Sequence, residues 1–310
     1  MAVDIIYIAG MTRSGTTIVD RVLSSVHGVA SFCEIRYLWA AGFVRHFDCS
    51  CGQPFERCPF WRAFSQSSGI GGREAREILD LQNRVDRSRY FWAIRTGLMT
   101  PAFRRDLDAY RSWMAHAYKH LALTAKTKTL IDSSKNPTTV AILADLSDIN
   151  VHVIHVVRDL RAVIHSWRKK KYNPGADADM PQWSAWQTMA TWSVQNLACQ
   201  NLAKSCNYHL VRYEDFARAP QKTIASLIHQ LAPISNKTAP FLNESTIKLP
   251  RLHSVSGNPD RFSVGETTIR PDVAWHQELD SPTRIVGTLV GFPLLRRYGY
   301  RLCRESSSDA

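Results

Sequence analysis

The stretch DIIYIAGMTRSGTT, Asp4–Thr17, decides the fold of this 310-residue chain. Its first half is a short apolar run, rich in isoleucine and without helical periodicity, which predicts a β-strand over 5–8. A loop with Gly10, Ser14 and Gly15 follows, and apolar residues at helical spacing predict a helix where the loop ends. A strand, a glycine-containing loop and a helix N-terminus in this order form a cradle of backbone N–H groups that suits a phosphate.

The loop matches the nucleotide-phosphate motif G-x-x-x-x-G-K-[ST] at three of its four defined positions. Gly10 and Gly15 have the required separation and Thr17 occupies the Ser/Thr position, but Thr16 replaces the lysine. Arg13 supplies the cation of the loop instead, and its planar guanidinium can bind two oxygens at once. The loop therefore predicts a bound phosphate or related anion, with an ordinary βα turn as the alternative.

The composition bounds the class of protein. A chain of 310 residues with 45% hydrophobic residues predicts one globular α/β domain over 1–310, with a helical insertion. The net charge of +12 favours an anionic ligand, but the basic residues are too scattered to predict a nucleic-acid partner. No segment predicts a membrane span and the first apolar run predicts a strand, not a secretory signal. We therefore expect a cytoplasmic protein whose seven cysteines are reduced.

The remaining patterns predict a parallel β-sheet flanked by helices, similar to that of P-loop proteins. Strand-like runs at 29–32, 127–131, 151–157 and 208–211 are each followed by polar residues and a helix. Helical periodicity between the second and third runs predicts an insertion at about 59–126. A long helix is predicted over 183–202, with Trp186, Val194 and Leu197 on one apolar face, and another at the end of the chain, over about 282–290. The irregular stretch from 240 to 270 predicts a functional loop.

Candidate site residues follow these strands, because ligands of open parallel sheets bind at the carboxyl ends of the strands. Glu34 follows the second strand, and a loop of Asp132 to Lys135 is expected after the third. Arg158 follows the fourth strand, and Ser166 lies on the helix after it, about 10 Å along from the helix start. Arg158 and Ser166 would contact one anion only if that anion lay along the first turns of this helix. His152 and His155, within the strand, are expected to be buried structural residues.

Cysteines cluster at Cys49, Cys51 and Cys58, shortly after His46. Three thiols and an imidazole are the ligand types that zinc prefers. The spacing Cys-x-Cys is not usual for zinc, however, and a disulfide or reduced cysteines packed by nearby aromatic residues are alternatives. We therefore predict that the protein binds no metal. If it did bind zinc, the three cysteines and His46 would be the candidate ligands.

Two segments together resemble the sulfotransferases that use 3′-phosphoadenosine-5′-phosphosulfate (PAPS). These are RSGTT after the first strand, and Arg158 with Ser166 after the fourth. The resemblance spans roughly 5–275 and implies that Arg13, Ser14, Gly15, Thr16 and Thr17 hold the 5′-phosphosulfate, while Arg158 and Ser166 hold the 3′-phosphate. The segments RYEDF and GNPDRF add weaker support. They imply that Tyr213 and Arg261 contact the nucleotide, with a covering loop at about 245–275.

Arg-Ser-Gly in the first loop resembles the tyrosylprotein and carbohydrate branch of that family. The resemblance implies that Glu34 is the catalytic base and that Lys135, in Lys-Asn-Pro, acts at the reacting centre together with Arg13. The chain departs from the cytosolic small-molecule branch, which has lysine in the first loop and a histidine base before the 3′-phosphate strand. It also shows no transmembrane anchor of the kind that Golgi enzymes carry, and similar soluble proteins are typically bacterial.

The resemblance implies in-line transfer of a sulfuryl group, without a metal, to an acceptor that would be a small molecule, a glycan or a peptide. The donor would be converted to adenosine 3′,5′-bisphosphate (PAP). The principal alternative is an ATP- and magnesium-dependent small-molecule kinase, with Thr17 and Asp132 on the magnesium ion. A nucleotide-binding or scaffolding protein without catalytic activity is a third hypothesis. The acceptor and the oligomeric state do not follow from the sequence.

Overall fold

The computed structural model describes residues 2–173 and 178–301. In these ranges the strands are β1 (Val3–Ala9), β2 (Val29–Ser31), β3 (Thr129–Lys135), β4 (Ile149–Val157), β5 (Tyr172–Asn173), β6 (Ala178–Asp179), β7 (Asn207–Arg212), β8 (Thr246–Leu249) and β9 (Gly265–Thr268). Five of them form a parallel sheet in the order β2-β3-β1-β4-β7. The other four form two small antiparallel pairs, β5 with β6 and β8 with β9. The predicted α/β fold with a central parallel sheet is confirmed.

Helices occupy both faces of the sheet. They are α1 (Thr16–Leu23), α2 (Pro59–Ser68), α3 (Gly72–Val85), α4 (Phe91–Thr96), α5 (Pro101–Ala125), α6 (Pro137–Leu143), α7 (Leu160–Arg168), α8 (Ala185–Leu202), α9 (Tyr213–Arg218), α10 (Pro220–Gln230), α11 (Trp275–Glu278) and α12 (Ser281–Arg297). A π-helix spans Leu38–Val44, and short 3-10 turns occur at Ile35–Tyr37, Phe55–Arg57, Ser88–Tyr90, Ala232–Ile234 and Pro259–Phe262. None of the described helices has the length and apolar character needed to cross a membrane.

The alternation of side chains along the strands divides the core into two layers. In β1, Ile5 and Tyr7 pack into the layer built with α2, α3 and α5, whereas Ile6 and Ile8 pack into the layer built with α1 and α10. All four side chains are fully buried, as expected for a parallel strand covered on both faces. Helices α2 to α5 all lie between β2 and β3, in the segment predicted as the helical insertion.

Strand β3 extends further than the sequence indicates. The polar run Asp132–Lys135, which was expected to be a loop, forms the last part of the strand and is buried. Asp132 accepts a hydrogen bond from the Tyr118 hydroxyl of α5, and Ser133 donates to Asp20 of α1. These partners, distant in sequence, satisfy the polar side chains, so the strand can continue through them.

Helix α8 exposes several of its large apolar residues. Trp186, Val194 and Leu197, expected on one face of this helix, have exposed fractions of 66%, 61% and 49%. The buried face instead carries Met189, Trp192 and Cys199, together with hydrogen-bonded polar residues such as Asn196. The expected helical region is confirmed, but its periodicity did not identify which face is buried.

Candidate active site

A cleft of about 800 Å³ opens at the carboxyl edge of the central sheet. The loops after β1, β3 and β4 reach it, and a segment between β8 and β9 forms the opposite wall. After β1 the chain passes to β2, at one edge of the sheet, and after β4 it passes to β7, at the opposite edge. The cleft therefore lies at the topological switch point, where α/β sheets bind their ligands.

The loop after β1 is fixed by two glycines whose conformations and surroundings exclude other residues. A Cβ on Gly10 would lie 2.3 Å from the carbonyl oxygen of Val156, and one on Gly15 would lie 2.2 Å from the ring of Tyr213. Both backbones have positive φ angles, 137° and 87°. Tyr213 can thus lie directly on the loop, and the end of β4 can approach it closely.

Helix α1 begins at Thr16, directly after the loop, with Gly15 at its N-cap position. Glycine has no side chain to accept hydrogen bonds from the first turn, so these N–H groups can serve a ligand. Thr16, Thr17 and Ile18 line the cleft at this point. The loop and the positive end of the helix dipole therefore form an anion cradle. Ser14 is buried at the base of the loop, and its hydroxyl has no hydrogen-bond partner among the described residues.

Arg13 extends from this loop into the cleft and is held by an aromatic pair. Its guanidinium lies over the Trp167 ring, 5.4 Å from the centroid, and Trp167 stacks on Trp183 with centroids 4.0 Å apart. Burial lowers the pKa of Arg13, and the nearby Asp260 carboxylate acts in the opposite direction. An arginine remains charged at physiological pH in such surroundings, so Arg13 is a fixed cation in the cleft.

Glu34 and Lys135 form an ion pair on the floor of the cleft. The Lys135 ammonium donates a hydrogen bond to Glu34 Oε1 and another, of 3.1 Å, to the carbonyl oxygen of Ser133. Burial alone lowers the pKa of Lys135, but the Glu34 carboxylate outweighs it and raises that pKa above its usual value. Lys135 also has a φ of 68°, in the left-handed region that a residue with a side chain rarely adopts. The structure thus brings together two side chains that the sequence places 101 residues apart.

Arg158 connects three parts of the chain. It donates a hydrogen bond of 3.2 Å to the carbonyl oxygen of Arg13 and one of 2.8 Å to the carboxylate of Asp272. Its guanidinium also lies over the Tyr213 ring, 4.5 Å from the centroid. The loops after β1 and β4 are therefore joined at the edge of the cleft. Ser166, one of the two residues predicted to act together here, also lines the cleft.

The turn that follows Arg158 is braced by RYEDF. Asp159 caps α7 by accepting a hydrogen bond of 2.9 Å from the Arg161 backbone N–H. Glu214 accepts a hydrogen bond of 3.0 Å from the Asp159 backbone N–H and one of 2.7 Å from the Tyr300 hydroxyl. This motif therefore positions the Arg158 turn, besides placing Tyr213 on Gly15.

Arg261 lies in the wall opposite the sheet. It borders the cleft, but its guanidinium donates to the backbone carbonyl oxygens of Asp48 and Ser254, and its exposed fraction is 2%. The bonds to Asp48 hold the segment 254–261 against the loop that begins there, and the bond to Ser254 lies within that segment. That Arg261 contacts a nucleotide stays a prediction.

Basic residues dominate the lining of the cleft. The cations are Arg13, Arg36, Arg87, Lys135, Arg158, Lys169, Lys170, Lys171 and Arg261. Glu34 and Asp260 are the acidic residues in the lining that the structure describes. This excess of positive charge favours a ligand with several negative charges.

Three contributors to the site were not predicted from the sequence. Gln195 of α8 donates hydrogen bonds to the carbonyl oxygens of Gly10, at 2.8 Å, and Lys135, at 3.1 Å. Trp183 supports Arg13 through Trp167, and Asp272 pairs with Arg158. None of the three belongs to a recognisable motif, and each acts through contacts with residues that are far away in the chain.

Asp132 does not line the cleft, contrary to what a magnesium-binding role would require. Asp132 lies in β3 and is fully buried against α5, where burial raises the pKa of its carboxyl to about 6. Its oxygens accept hydrogen bonds from Tyr118 and Ser134. This arrangement is structural and does not favour the kinase alternative.

The cysteine-rich loop contacts the wall opposite the sheet. Cys49, Cys51 and Cys58 lie together, and the fourth member of the group is His253, with all four ligand atoms within 4.8 Å of one another. His46, predicted to complete the group, instead contacts Glu56 at 3.1 Å. His253 was not recognised in the sequence because it lies 195 residues beyond Cys58.

Comparison with known proteins identifies related sequences and folds. A sequence model described as "Sulfotransferase family" matches residues 5–232. The sulfotransferase domain of the olefin synthase from Synechococcus PCC 7002 superposes with a TM-score of 0.51 at 21% identity, covering 97% of this chain and 96% of that domain. A sulfotransferase domain from the curacin biosynthetic pathway gives a TM-score of 0.49 at 16% identity, covering 97% and 99% of the two chains. The search of curated proteins gave no match.

Proposed function

The chain belongs to the sulfotransferase family, and from this premise we propose that it transfers a sulfuryl group from PAPS to an acceptor hydroxyl or amine. The observation that carries the proposal is the junction of the two anion-binding segments. Arg158, after β4, donates directly to the backbone of Arg13, after β1, at the edge of one basic cleft. A donor with phosphates at both ends of its ribose needs two such sites side by side.

In this proposal the loop after β1 and the first turn of α1 hold the 5′-phosphosulfate. The N–H groups of Ser14 to Thr17, the hydroxyls of the two threonines and the Arg13 guanidinium provide the donors. Arg158 and Ser166 hold the 3′-phosphate, with Tyr213 beside them. ATP lacks this phosphate, so the second site would select the sulfuryl donor over ATP.

The transfer itself requires a base and fixed cations. The acceptor hydroxyl attacks sulfur, the bond from sulfur to the phosphate oxygen breaks in line, and PAP leaves. We propose that Glu34 takes the hydroxyl proton, since its carboxylate lies in the cleft and is held by Lys135. Lys135 and Arg13 stabilise the negative charge that develops on the bridging and sulfuryl oxygens, and loss of one such donor typically costs about 3 kcal/mol in the barrier.

The donor can be tested by calorimetric titration of the protein with PAP, with ADP, and with ATP in the presence of magnesium. We expect tight binding of PAP that does not depend on magnesium, and weak binding of the other two. A magnesium-dependent preference for ATP would overturn the proposal. Activity would then be measured as transfer of labelled sulfate from PAPS to a panel of phenols, sugars and peptides.

A substitution of Arg158 tests the 3′-phosphate site separately. Arg158→Ala should weaken binding of PAP much more than binding of adenosine 5′-phosphosulfate, which has no 3′-phosphate, because the lost contact involves only that group. Since Arg158 also supports the Arg13 loop, Ser166→Ala provides a second probe without that structural role. Equal losses for both nucleotides in both variants would remove the 3′-phosphate from this part of the cleft.

A further inference from the structure

Three thiols and one imidazole converge where the loop 48–58 meets the segment 250–262. Cys51 Sγ lies 3.7 Å from Cys58 Sγ, and His253 Nδ1 lies 3.2 Å from Cys58 Sγ and 3.9 Å from Cys49 Sγ. Cys49 and Cys58 are fully buried, and Cys51 and His253 are half-buried. All four potential ligand atoms lie within 4.8 Å of one another, although they come from two segments that are distant in the sequence.

These distances fit the edges of a tetrahedron around a zinc ion. With Zn–S bonds of about 2.3 Å and a Zn–N bond of about 2.0 Å, neighbouring ligand atoms are about 3.5–3.8 Å apart. Cys51 Sγ and Cys58 Sγ, 3.7 Å apart, are too distant for a disulfide, whose bond length is about 2.0 Å. We propose that Cys49, Cys51, Cys58 and His253 bind one structural zinc ion.

The surroundings hold the ligands in place independently of the metal. Ser50 N donates to the carbonyl oxygen of Ser254 at 2.7 Å, and Ser50 Oγ donates to that of Leu252 at 2.8 Å. The His253 ring stacks on Phe60, with centroids 5.1 Å apart and planes 14° apart, which directs Nδ1 toward the thiols. Such supporting contacts orient metal ligands and are typical of preorganised sites.

The proposed zinc site would have a defined role at the cleft. The segment that provides His253 continues into Val255, Ser256 and Gly257, which line the cleft opposite the sheet. A Cβ on Gly257 would lie 3.4 Å from Glu34 Oε1, so this wall lies close to the residue on the cleft floor. Zinc would therefore fix the position of the wall relative to Glu34 without taking part in any reaction. The site itself does not depend on the proposed function, because its ligands lie outside the anion cradle.

The test is the metal content of the whole chain, purified without a metal-affinity tag and measured by mass spectrometry of the elements. We expect about one zinc per chain. Cys58→Ser and His253→Ala should reduce zinc to traces. His46→Ala removes the histidine that the sequence suggested, Cys206→Ser removes a half-buried cysteine elsewhere, and both should retain the metal.

A second measurement covers the case in which the ligand variants do not fold. Wild-type protein is stripped with a chelator, and its melting temperature is followed while zinc or magnesium is added back. Removal should lower Tm by about 5 °C or more, and zinc but not magnesium should restore it. Cobalt in place of zinc should give the absorption bands of a tetrahedral thiolate site.

Several outcomes would overturn the proposal. These are wild-type protein with only trace zinc that does not take up added zinc, a Cys51–Cys58 disulfide in the purified chain, and a Cys58→Ser variant that keeps its zinc. All are measured without an activity assay. A failed zinc site and a failed donor assignment are therefore distinguishable, since the latter is tested by nucleotide binding.

Discussion

At the scale of single residues, Lys135 combines a left-handed backbone conformation with a buried charged side chain. Its left-handed backbone costs about 1–2 kcal/mol, and its buried ammonium must be compensated. The ion pair with Glu34 and the hydrogen bond to Ser133 provide that compensation. Strain of this kind persists where the surrounding structure requires it and is common at active sites. The strained conformation therefore supports the proposal that Lys135 faces the reacting group.

Glu34→Gln should retain nucleotide binding and lose transfer. Glutamine keeps an oxygen that can accept from Lys135, but it cannot take a proton, and a general base typically contributes about 10²–10⁴ in rate. We expect kcat to fall at least about a hundredfold while the Kd for PAP changes little. Glu266→Gln, at an exposed glutamate in β9, is the control. Turnover at the wild-type rate by Glu34→Gln would assign the base to another group.

His155 provides a prediction about pH and stability. It is fully buried in β4, where it accepts from the Tyr208 hydroxyl at 2.6 Å and donates to the Asn196 side-chain oxygen at 2.8 Å. Burial lowers the pKa of His155 to about 4. The unfolded chain binds a proton near pH 6.5, whereas the folded chain does not, so this residue contributes stability above pH 6.5 that is lost as the pH falls toward 4.

The measurement compares wild-type protein with His155→Gln by denaturant unfolding at pH 7 and at pH 4.5. The advantage of the wild-type protein should shrink by about 2 kcal/mol at the lower pH, because over most of this interval the unfolded chain binds a proton at His155 and the folded chain does not. Carboxylates elsewhere titrate in the same range, but they are common to both proteins. A difference that is constant with pH would show that His155 is not held neutral.

At the scale of secondary-structure elements, the β1–loop–α1 unit concentrates the tightest contacts of the cleft. Tyr213, at the start of α9, lies on Gly15, and the end of β4 lies against Gly10. Neither glycine can be replaced without moving one of these elements. The loop geometry therefore depends on three elements at once, although its sequence is continuous.

Gly15→Ala should damage nucleotide binding more than it damages stability. The methyl group would meet the Tyr213 ring, so the ring or the loop must move out of the cleft. Gly97→Ala is a matched control, because Gly97 has a φ of 74° but nothing lies within 4 Å of the point that an alanine Cβ would occupy. Both variants should lose about 1 kcal/mol of stability to backbone strain. PAP affinity should fall at least about tenfold in Gly15→Ala and stay unchanged in Gly97→Ala, whereas equal affinities would contradict the tight fit.

At this scale, the correct predictions came from patterns among residues that are neighbours in the sequence. The strand, loop and helix at residues 3–23 and the strand before Arg158 carry their signals in neighbouring residues, so both were identified. The extension of β3 through Asp132 was missed because buried polar residues become favourable only with partners such as Tyr118. His253, Asp272 and Gln195 were missed for a related reason, since each acts across a long sequence separation that one sequence does not encode in any local pattern.

At the scale of the whole molecule, one carboxylate from the C-terminal third neutralises part of the basic cleft. Asp272 lies 114 residues beyond Arg158 and binds its guanidinium. Partial burial alone raises the pKa of Asp272, but the hydrogen bond from Arg158 more than offsets this and lowers it. Asp272 is therefore negatively charged at neutral pH and occupies a donor that the proposed 3′-phosphate needs.

Asp272→Asn should strengthen binding of PAP several-fold, because Arg158 loses its anionic partner and the ligand meets less repulsion. Binding of adenosine 5′-phosphosulfate should change little. Asp145→Asn serves as control, since Asp145 forms an exposed ion pair with Arg111 outside the cleft and such pairs contribute little. Calorimetry of both nucleotides measures the effect, and weaker PAP binding by Asp272→Asn would mean that Asp272 positions Arg158 rather than competing for it.

The residues that line the cleft are spread along most of the chain, so the cleft is completed late during translation. Its lining begins at Thr12 and is complete only at Arg261, 49 residues after the last strand of the central sheet ends at Arg212. A ribosome adds about 5–20 residues per second, so the sheet precedes the finished cleft by roughly 2 to 10 seconds. During that interval the nascent chain has no complete site for a nucleotide. A nucleotide therefore meets the finished cleft only after Arg261 has emerged from the ribosome.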